Sequence, residues 1–361
     1  RALRGVVRVV REDDTPDSRG AAHVSGASSS RTKRHARCAG YGTTGGAVLG
    51  HNRGVPLRIV FAGSPPAAVP SLRELVASPH EVVAAVTRED APVGRKRVLA
   101  ETPVAEAARE AGIPVLKANR LSAVEDELLA LEADLGVVVA YGGLIREPLL
   151  SAPRDGWINL HSSLLPRWRG AAPVQRAIMA GDAETGAAVF RLVEELDAGP
   201  VFAMERTPVG GVQTAGHLLE SLSVSGARLL RRVVDDIAAG TARAVPQEGE
   251  ATLAPKLRLD DARIDWSLPA ERIDARIRGV TPEPGAVTGL DGERFKVHEA
   301  AIAHGAAPLA PGAVALRGRA VLVGTGDLPL ELIVVQPAGR RAMSAADWWR
   351  GRPPGQAAVF G

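Results

Sequence analysis

A single cysteine, Cys38, is all that the 361 residues contain, so neither an internal disulfide nor a thiolate metal cluster can form. No apolar run is long: Leu135 to Ile145 is too short to span a bilayer and is interrupted by Tyr141, Gly142 and Gly143. The first strand-like run is followed by Gly63-Ser64-Pro65, with no G-x-G-x-x-G and no G-x-x-x-x-G-K-[ST], so the dinucleotide and P-loop fingerprints are missing. Histidines, carboxylates and the lone cysteine nowhere take metal-ligand spacing, and no metal is expected. Lysine is scarce, 5 residues against 39 arginines, which reads as compositional bias rather than a recognition strategy. What is present, 45% hydrophobic and 24% charged residues, is globular usage. The length suggests two folded units. These features predict a soluble, cytoplasmic monomer with no membrane partner.

A formal charge of +3 and a pI near 9.3 suggest nucleic-acid binding until the charge is located. Residues 1–54 carry 10 Lys/Arg against 4 Asp/Glu, residues 55–210 carry 16 against 20, and residues 211–361 carry 18 against 17. The surplus lies in the first stretch and the rest is near neutral, so charge alone establishes no RNA partner. That stretch is rich in Gly, Ser, Ala and Arg without a period of 2 or 3.6, and reads as a disordered extension over 1–55. It lacks the apolar core of a secretory signal, and Glu12, Asp13, Asp14 and Asp17 argue against a transit peptide. The first Met is Met179, and Val55 is an alternative start.

Regular structure is expected from Leu57. Leu57 to Gly63 reads as a buried strand, Ser64-Pro65-Pro66 breaks it, and a helix follows to Val76. A second strand, Glu81 to Thr87, leads into a polar loop, Arg88 to Glu101, whose Arg88, Arg95, Lys96 and Arg97 read most simply as solvated. A helix over Pro103 to Gly112 and strands Leu135 to Ala140 and Trp157 to His161 complete an alternation that implies an α/β doubly wound, mostly parallel sheet. Ala215 to Ala239 is a long amphipathic helix ending at Gly240, followed by a Pro/Gln/Glu-containing linker. Short β-rich pieces at Phe295 to Val297, Ala320 to Val323 and Leu330 to Val335 then predict a small, OB-like C-terminal β-barrel. The division expected is 56–245, a linker over 246–260, and 261–361.

The densest chemistry lies in Trp157 to Gly170. On a strand, Asn159 and His161 share one face, opposite Ile158 and Leu160. Strands of a parallel sheet are normally apolar on both faces, so this polar pair belongs near a strand's carboxyl end, where such sheets leave their crevice. An amide beside an imidazole suits acyl chemistry, stabilising an oxyanion and moving a proton. Taken alone, the pair also fits a hydrogen-bonded strand-end histidine. Leu196-Asp197-Ala198-Gly199 taken alone is a turn; the sharper reading makes Asp197 the carboxylate that orients His161, favours its protonated form, or relays a proton from an attacking amine.

Asn159 to Pro166, with Asp197 in Leu-Asp-Ala-Gly, resembles the catalytic domain of enzymes that use 10-formyltetrahydrofolate. The longer pattern narrows this. Leu57 to Pro65, Val139 to Gly142, Pro166 to Gln175, Gly181 to Gly186, Ala262 to Trp266 and Gln336 to Ala345 resemble, in order, the methionyl-tRNA formyltransferase family over roughly 56–350. The resemblance implies formyl transfer from 10-formyltetrahydrofolate to methionyl initiator tRNA, with a formyltransferase catalytic domain and a C-terminal barrel that binds tRNA. It places the family's catalytic set at Asn159, His161 and Asp197 and its folate segment at Ser163, Leu164, Leu165 and Pro166. Arg95 falls where the family's arginine reaches the tRNA acceptor end, although Arg95-Lys96-Arg97-Val98 replaces the usual Arg-Gly-Lys-Lys. Ser64 and Ser162 stand where Thr and Gly are common, and the first 55 residues have no counterpart.

Relatives that share the catalytic domain act on glycinamide ribonucleotide or sugar nucleotides, or hydrolyse formyltetrahydrofolate. The barrel with Gln336-Pro337-Ala338-Gly339 favours the tRNA enzyme. A non-catalytic RNA binder is a different class of reading, against which an intact Asn159, His161 and Asp197 stand.

Overall fold

The computed structural model describes residues 55–93, 97–353 and 355–361; the extension expected before Val55 lies outside the described residues. The chain runs through β1 (Arg58–Gly63), α1 (Val69–Val76), β2 (Glu81–Thr87), β3 (Ala91–Val93), β4 (Val98–Ala100), α2 (Pro103–Glu110), β5 (Val115–Lys117) and α3 (Glu125–Ala130). It continues through β6 (Leu135–Val139), β7 (Trp157–His161), α4 (Pro173–Ala180), β8 (Glu184–Arg191), β9 (Val201–Pro208) and α5 (Ala215–Ala238). The first sheet has the order β5-β2-β1-β6-β7-β8-β9. Neighbours from β5 to β7 are parallel, whereas β8 and β9 run antiparallel to their neighbours.

Side-chain parity decides which core each residue enters. Ile59 and Phe61 of β1, Leu135, Val137 and Val139 of β6, and Ile158 and Leu160 of β7 face one layer. There they meet Leu72 and Leu75 of α1, Val104 of α2, and Leu229, Leu230 and Val233 of α5. Val60, Ala62, Val138 and Trp157 face the other layer with Leu128 of α3, Tyr141 and Leu149. Each fully buried Leu, Ile or Phe stabilises this arrangement by about 1.5–3 kcal/mol before entropy is counted. The helices start where the sequence supplies caps: Thr102 accepts from the Ala105 amide at 3.1 Å, with Pro103 next to it. Thr214 caps α5, and Gly240 at φ +69° follows its end.

The polar loop expected over Arg88 to Glu101 holds a short hairpin instead, β3 paired with β4 apart from the main sheet. Pro92 and the surrounding charges obscured it. Arg88 is not a solvated cation either. Its Nε donates to the Tyr141 carbonyl at 3.2 Å and its Nη2 to that of Gly142 at 2.6 Å, clasping the turn after β6.

Beyond a long connection come α6 (Ala270–Gly279), β10 (Ala286–Leu290), β11 (Glu293–Ile302), β12 (Ala313–Arg317), β13 (Ala320–Val323), β14 (Leu330–Pro337), β15 (Met343–Ser344), α7 (Ala345–Arg350) and β16 (Ala358–Val359). The second sheet is antiparallel, in the order β10-β11-β14-β13-β12-β16 with β15 on β14. Leu290, at the end of β10, bridges Phe360 just past β16, so the two edges meet and the sheet closes into the expected barrel. Trp266, Phe295, Trp348 and Phe360 fill it, with ring centroids 4.8–6.1 Å apart.

Asp327, between β13 and β14, accepts the Ala270 amide at 2.8 Å and so caps the start of α6. α4 and α6 pack together, and Arg176 of α4 grips Asp261 at 3.0 and 3.2 Å. Burial alone would raise the Asp261 carboxyl; the Arg258 amide and the Arg176 guanidinium outweigh it and hold the group below the usual carboxylate range.

Candidate active site

β7 turns Ile158 and Leu160 toward α1, α2 and α5, and its other face, past the buried Trp157, is polar. Asn159 and His161 project from that face about 7 Å apart along the strand, and Phe190 of β8 lies edge-on to the imidazole with centroids 6.3 Å apart. The crevice therefore lies over the sheet face at the end of β7. Two loops cover it, 162–172 after β7 and 192–200 between β8 and β9.

His161 is buried and anchored. Its Nε2 meets the Trp168 carbonyl at 2.9 Å, so that nitrogen carries the hydrogen and Nδ1 is the edge turned to Asp197. Nδ1 and the Asp197 Oδ2 are 3.8 Å apart, too far for a hydrogen bond. The same Oδ2 accepts the Gly170 amide at 2.8 Å, which ties the two loops together. Among the described residues nothing hydrogen-bonds the half-buried Asn159 carboxamide, which is left free to donate.

Asp197 has φ +47°, a left-handed conformation that costs a non-glycine residue about 1–2 kcal/mol and is best tolerated by Asp and Asn. Two glycines make the packing possible. A Cβ on Gly199 would lie 1.8 Å from the Arg191 carbonyl oxygen, and one on Gly170, at φ +117°, would lie 2.9 Å from that of Ala254. The second contact exposes what the sequence reading missed, that the connection after α5 returns to the crevice. Thr252 and Ala254 bond the backbone of Trp168, Arg169 and Ala172, and Gln247 reaches the Asp197 loop. Read as a Pro/Gln/Glu spacer, this stretch carried no signal in the sequence.

The four residues of the expected folate segment separate. Ser163 is fully buried, with its hydroxyl donating to the Arg167 carbonyl at 2.6 Å. Leu165 packs with Ala188, Phe190 and Val201. Only Leu164 and Pro166 keep accessible surface. Leu164 borders a cavity of about 340 Å³ with Arg167, Trp168, Asp182, Glu184 and Arg206. Its charges are already paired, Arg167 with Asp182 and Arg206 with Glu184. Asp182 holds the Arg167 guanidinium above its ordinary pKa. Leu144 after β6, and Val193 and Leu196 on the Asp197 loop, are exposed apolar side chains. Their neighbours Ile145 and Leu192 pack into one core.

Arg95 lies outside the described residues. No cluster of three or more His, Cys, Asp or Glu side chains capable of holding a metal occurs among the described residues. Nor is any described helix long and apolar enough to cross a membrane.

Residues 57–234 match the formyl transferase family, and residues 256–353 match the formyl transferase C-terminal domain. The methionyl-tRNA formyltransferase of Clavibacter sepedonicus is 61% identical over 296 residues, 82% of this chain and 97% of that protein. That of Arthrobacter sp. (strain FB24) is 55% identical, covering 84% of this chain and all of that protein. The N-formyltransferase from Helicobacter canadensis, solved with folinic acid and dTDP-3-aminofucose, superposes with a TM-score of 0.60 at 15% identity, over 78% of this chain and 99% of that one. HypX from Aquifex aeolicus, solved with tetrahydrofolic acid, gives a TM-score of 0.56 at 18% identity over 85% of this chain and 51% of that one. At these identities the solved structures speak to the fold.

Proposed function

The chain belongs to the methionyl-tRNA formyltransferase family, and from that premise we propose that it transfers the formyl group of 10-formyltetrahydrofolate to the amino group of methionyl initiator tRNA, using Asn159, His161 and Asp197. The observation that supports this reading is the meeting of His161 Nδ1 and Asp197 Oδ2 at 3.8 Å on the face that carries the free Asn159 carboxamide. The neutral amine attacks the formyl carbon, and negative charge develops on the formyl oxygen. Collapse of the tetrahedral centre breaks the bond to the folate nitrogen, which takes up a proton as the amine gives one away.

Asn159 donates to the developing oxyanion. His161, fixed through Nε2, presents Nδ1 to the reacting atoms, and Asp197 stands beside that edge and helps draw off the amine proton. The segment Ser163 to Pro166, through its backbone and the partly exposed Leu164 and Pro166 side chains, suits a pterin ring. Residues 56–245 form the catalytic part and 246–260 the linker. The barrel over 261–361 binds RNA, and Arg95 of the catalytic part serves the tRNA acceptor end. The enzyme works in the cytoplasm as a monomer.

The test is a transfer assay with labelled 10-formyltetrahydrofolate and charged initiator tRNA. Label on the methionyl amine supports the reading. Free labelled formate would replace it with a hydrolase, and absence of any turnover with retained tRNA binding would replace it with an RNA binder.

A further inference from the structure

Gln247 sits between α5 and α6, outside both sheets, yet its carboxamide is bonded at both ends to the loops that cover the crevice. Its Nε2 donates to the carbonyl oxygens of Asp197 and Gly199, both at 2.8 Å. Its Oε1 accepts from Arg169 Nε at 3.2 Å and Nη2 at 2.8 Å. Arg169 continues to Glu195 at 3.1 Å, back on the Asp197 loop. The neighbouring backbone seals the same contact: the Arg169 amide donates to the Thr252 carbonyl at 2.8 Å and the Ala254 amide to the Arg169 carbonyl at 2.7 Å.

This arrangement acts on the carboxylate that faces His161. Asp197 is in a left-handed conformation, which persists only where surrounding contacts over-determine it. The Gly170 amide holds its side chain and Gln247 holds its carbonyl. A primary amide is the group the site requires, because two carbonyls need a donor on one side while a guanidinium needs an acceptor on the other.

We propose that Gln247 is a positioning residue for formyl transfer: by clamping the Asp197 backbone it keeps Oδ2 within reach of His161 Nδ1. The inference rests on the proposed role of Asp197. Gln247→Glu separates the two ends of the clamp, since a carboxylate still serves Arg169 but turns a negative oxygen toward the Asp197 and Gly199 carbonyls.

The experiment measures kcat, both KM values and thermal midpoints for Gln247→Glu, Gln247→Ala, Asp197→Asn and the Gln247→Glu/Asp197→Asn double variant of the full chain. Expected is a loss of about tenfold or more in kcat for Gln247→Glu, with both KM values within about twofold and a similar loss for Gln247→Ala. In the Asp197→Asn background the Gln247→Glu change should cost much less, because the two act as one unit. Wild-type kcat in Gln247→Glu, or an equal loss in both backgrounds, overturns the inference. Should the glutamate variant not fold, wild-type kcat in Gln247→Ala overturns it equally. Undiminished transfer by Asp197→Asn would instead remove the reading on which the inference stands, whatever Gln247 does.

Discussion

The two sheets bury their side chains by different rules. In the first, β1 has five consecutive buried residues, and β6 is buried throughout, because helices or loops cover both faces. In the barrel, β10 alternates buried with half-buried positions, and β14 follows the same alternation less regularly. A polar residue therefore means different things in the two regions. Asn159 and His161 break the apolar pattern set by the buried residues of β1 and β6, and need a reason. A polar residue in β11 or β14 is one more outward-facing position. Exceptions carry information only where the rule is strict.

Substitutions can break or sharpen that contrast. The largest effect belongs to the loop carboxylate that faces the polar exceptions of the first sheet: Asp197→Asn should lower kcat by about 10²–10⁴-fold while the thermal midpoint stays close to wild type. A variant that instead unfolds would reduce the trio to packing. Next, Leu332→Ala in the barrel core should cost about 2–5 kcal/mol in denaturant unfolding yet leave kcat unchanged while the protein remains folded. A kcat loss at full folding would show that the barrel enters the chemistry.

Gly170→Ala tests the seam between the regions. It puts a Cβ against the Ala254 carbonyl at a positive φ, and should destabilise by more than about 1 kcal/mol and lower kcat through the Asp197 loop. Unaltered unfolding and turnover would mean that the connection need not lie on the crevice.

The smallest effect is Asp261→Asn. A carboxyl held low when folded contributes stability above its unfolded pKa, near 4, and loses it as pH falls through the folded value. Wild type should therefore lose stability below about pH 4 more steeply than the variant. Identical acid limbs would show that the Arg176–Asp261 contact does not matter.

Much of the first region was legible from sequence. β2 and β7 fall at their expected boundaries, and Asn159 stood out beside His161 because local parity is enough to expose it. Closure of the barrel through Leu290 and Phe360, the clasp made by Arg88, and the return of Gln247 to Asp197 were not legible. Each pairs residues far apart in sequence, and none disturbs a local period. The Arg88 to Glu101 hairpin was hidden differently, since three-residue strands carrying a proline and flanking charges look like a loop until they pair. Ser163 and Leu165 were legible as a motif, but their burial depends on β8, β9 and the Arg167 carbonyl.

The central claim is that the Asn159 carboxamide, near the carboxyl end of β7, stabilises the oxyanion of formyl transfer. Its most direct test is the single-turnover rate of Asn159→Ala with saturating 10-formyltetrahydrofolate and methionyl initiator tRNA. The account predicts a fall of about a hundredfold or more, the cost of one lost oxyanion donor, with folding intact. A rate within about twofold of wild type, well short of such a loss, would contradict it.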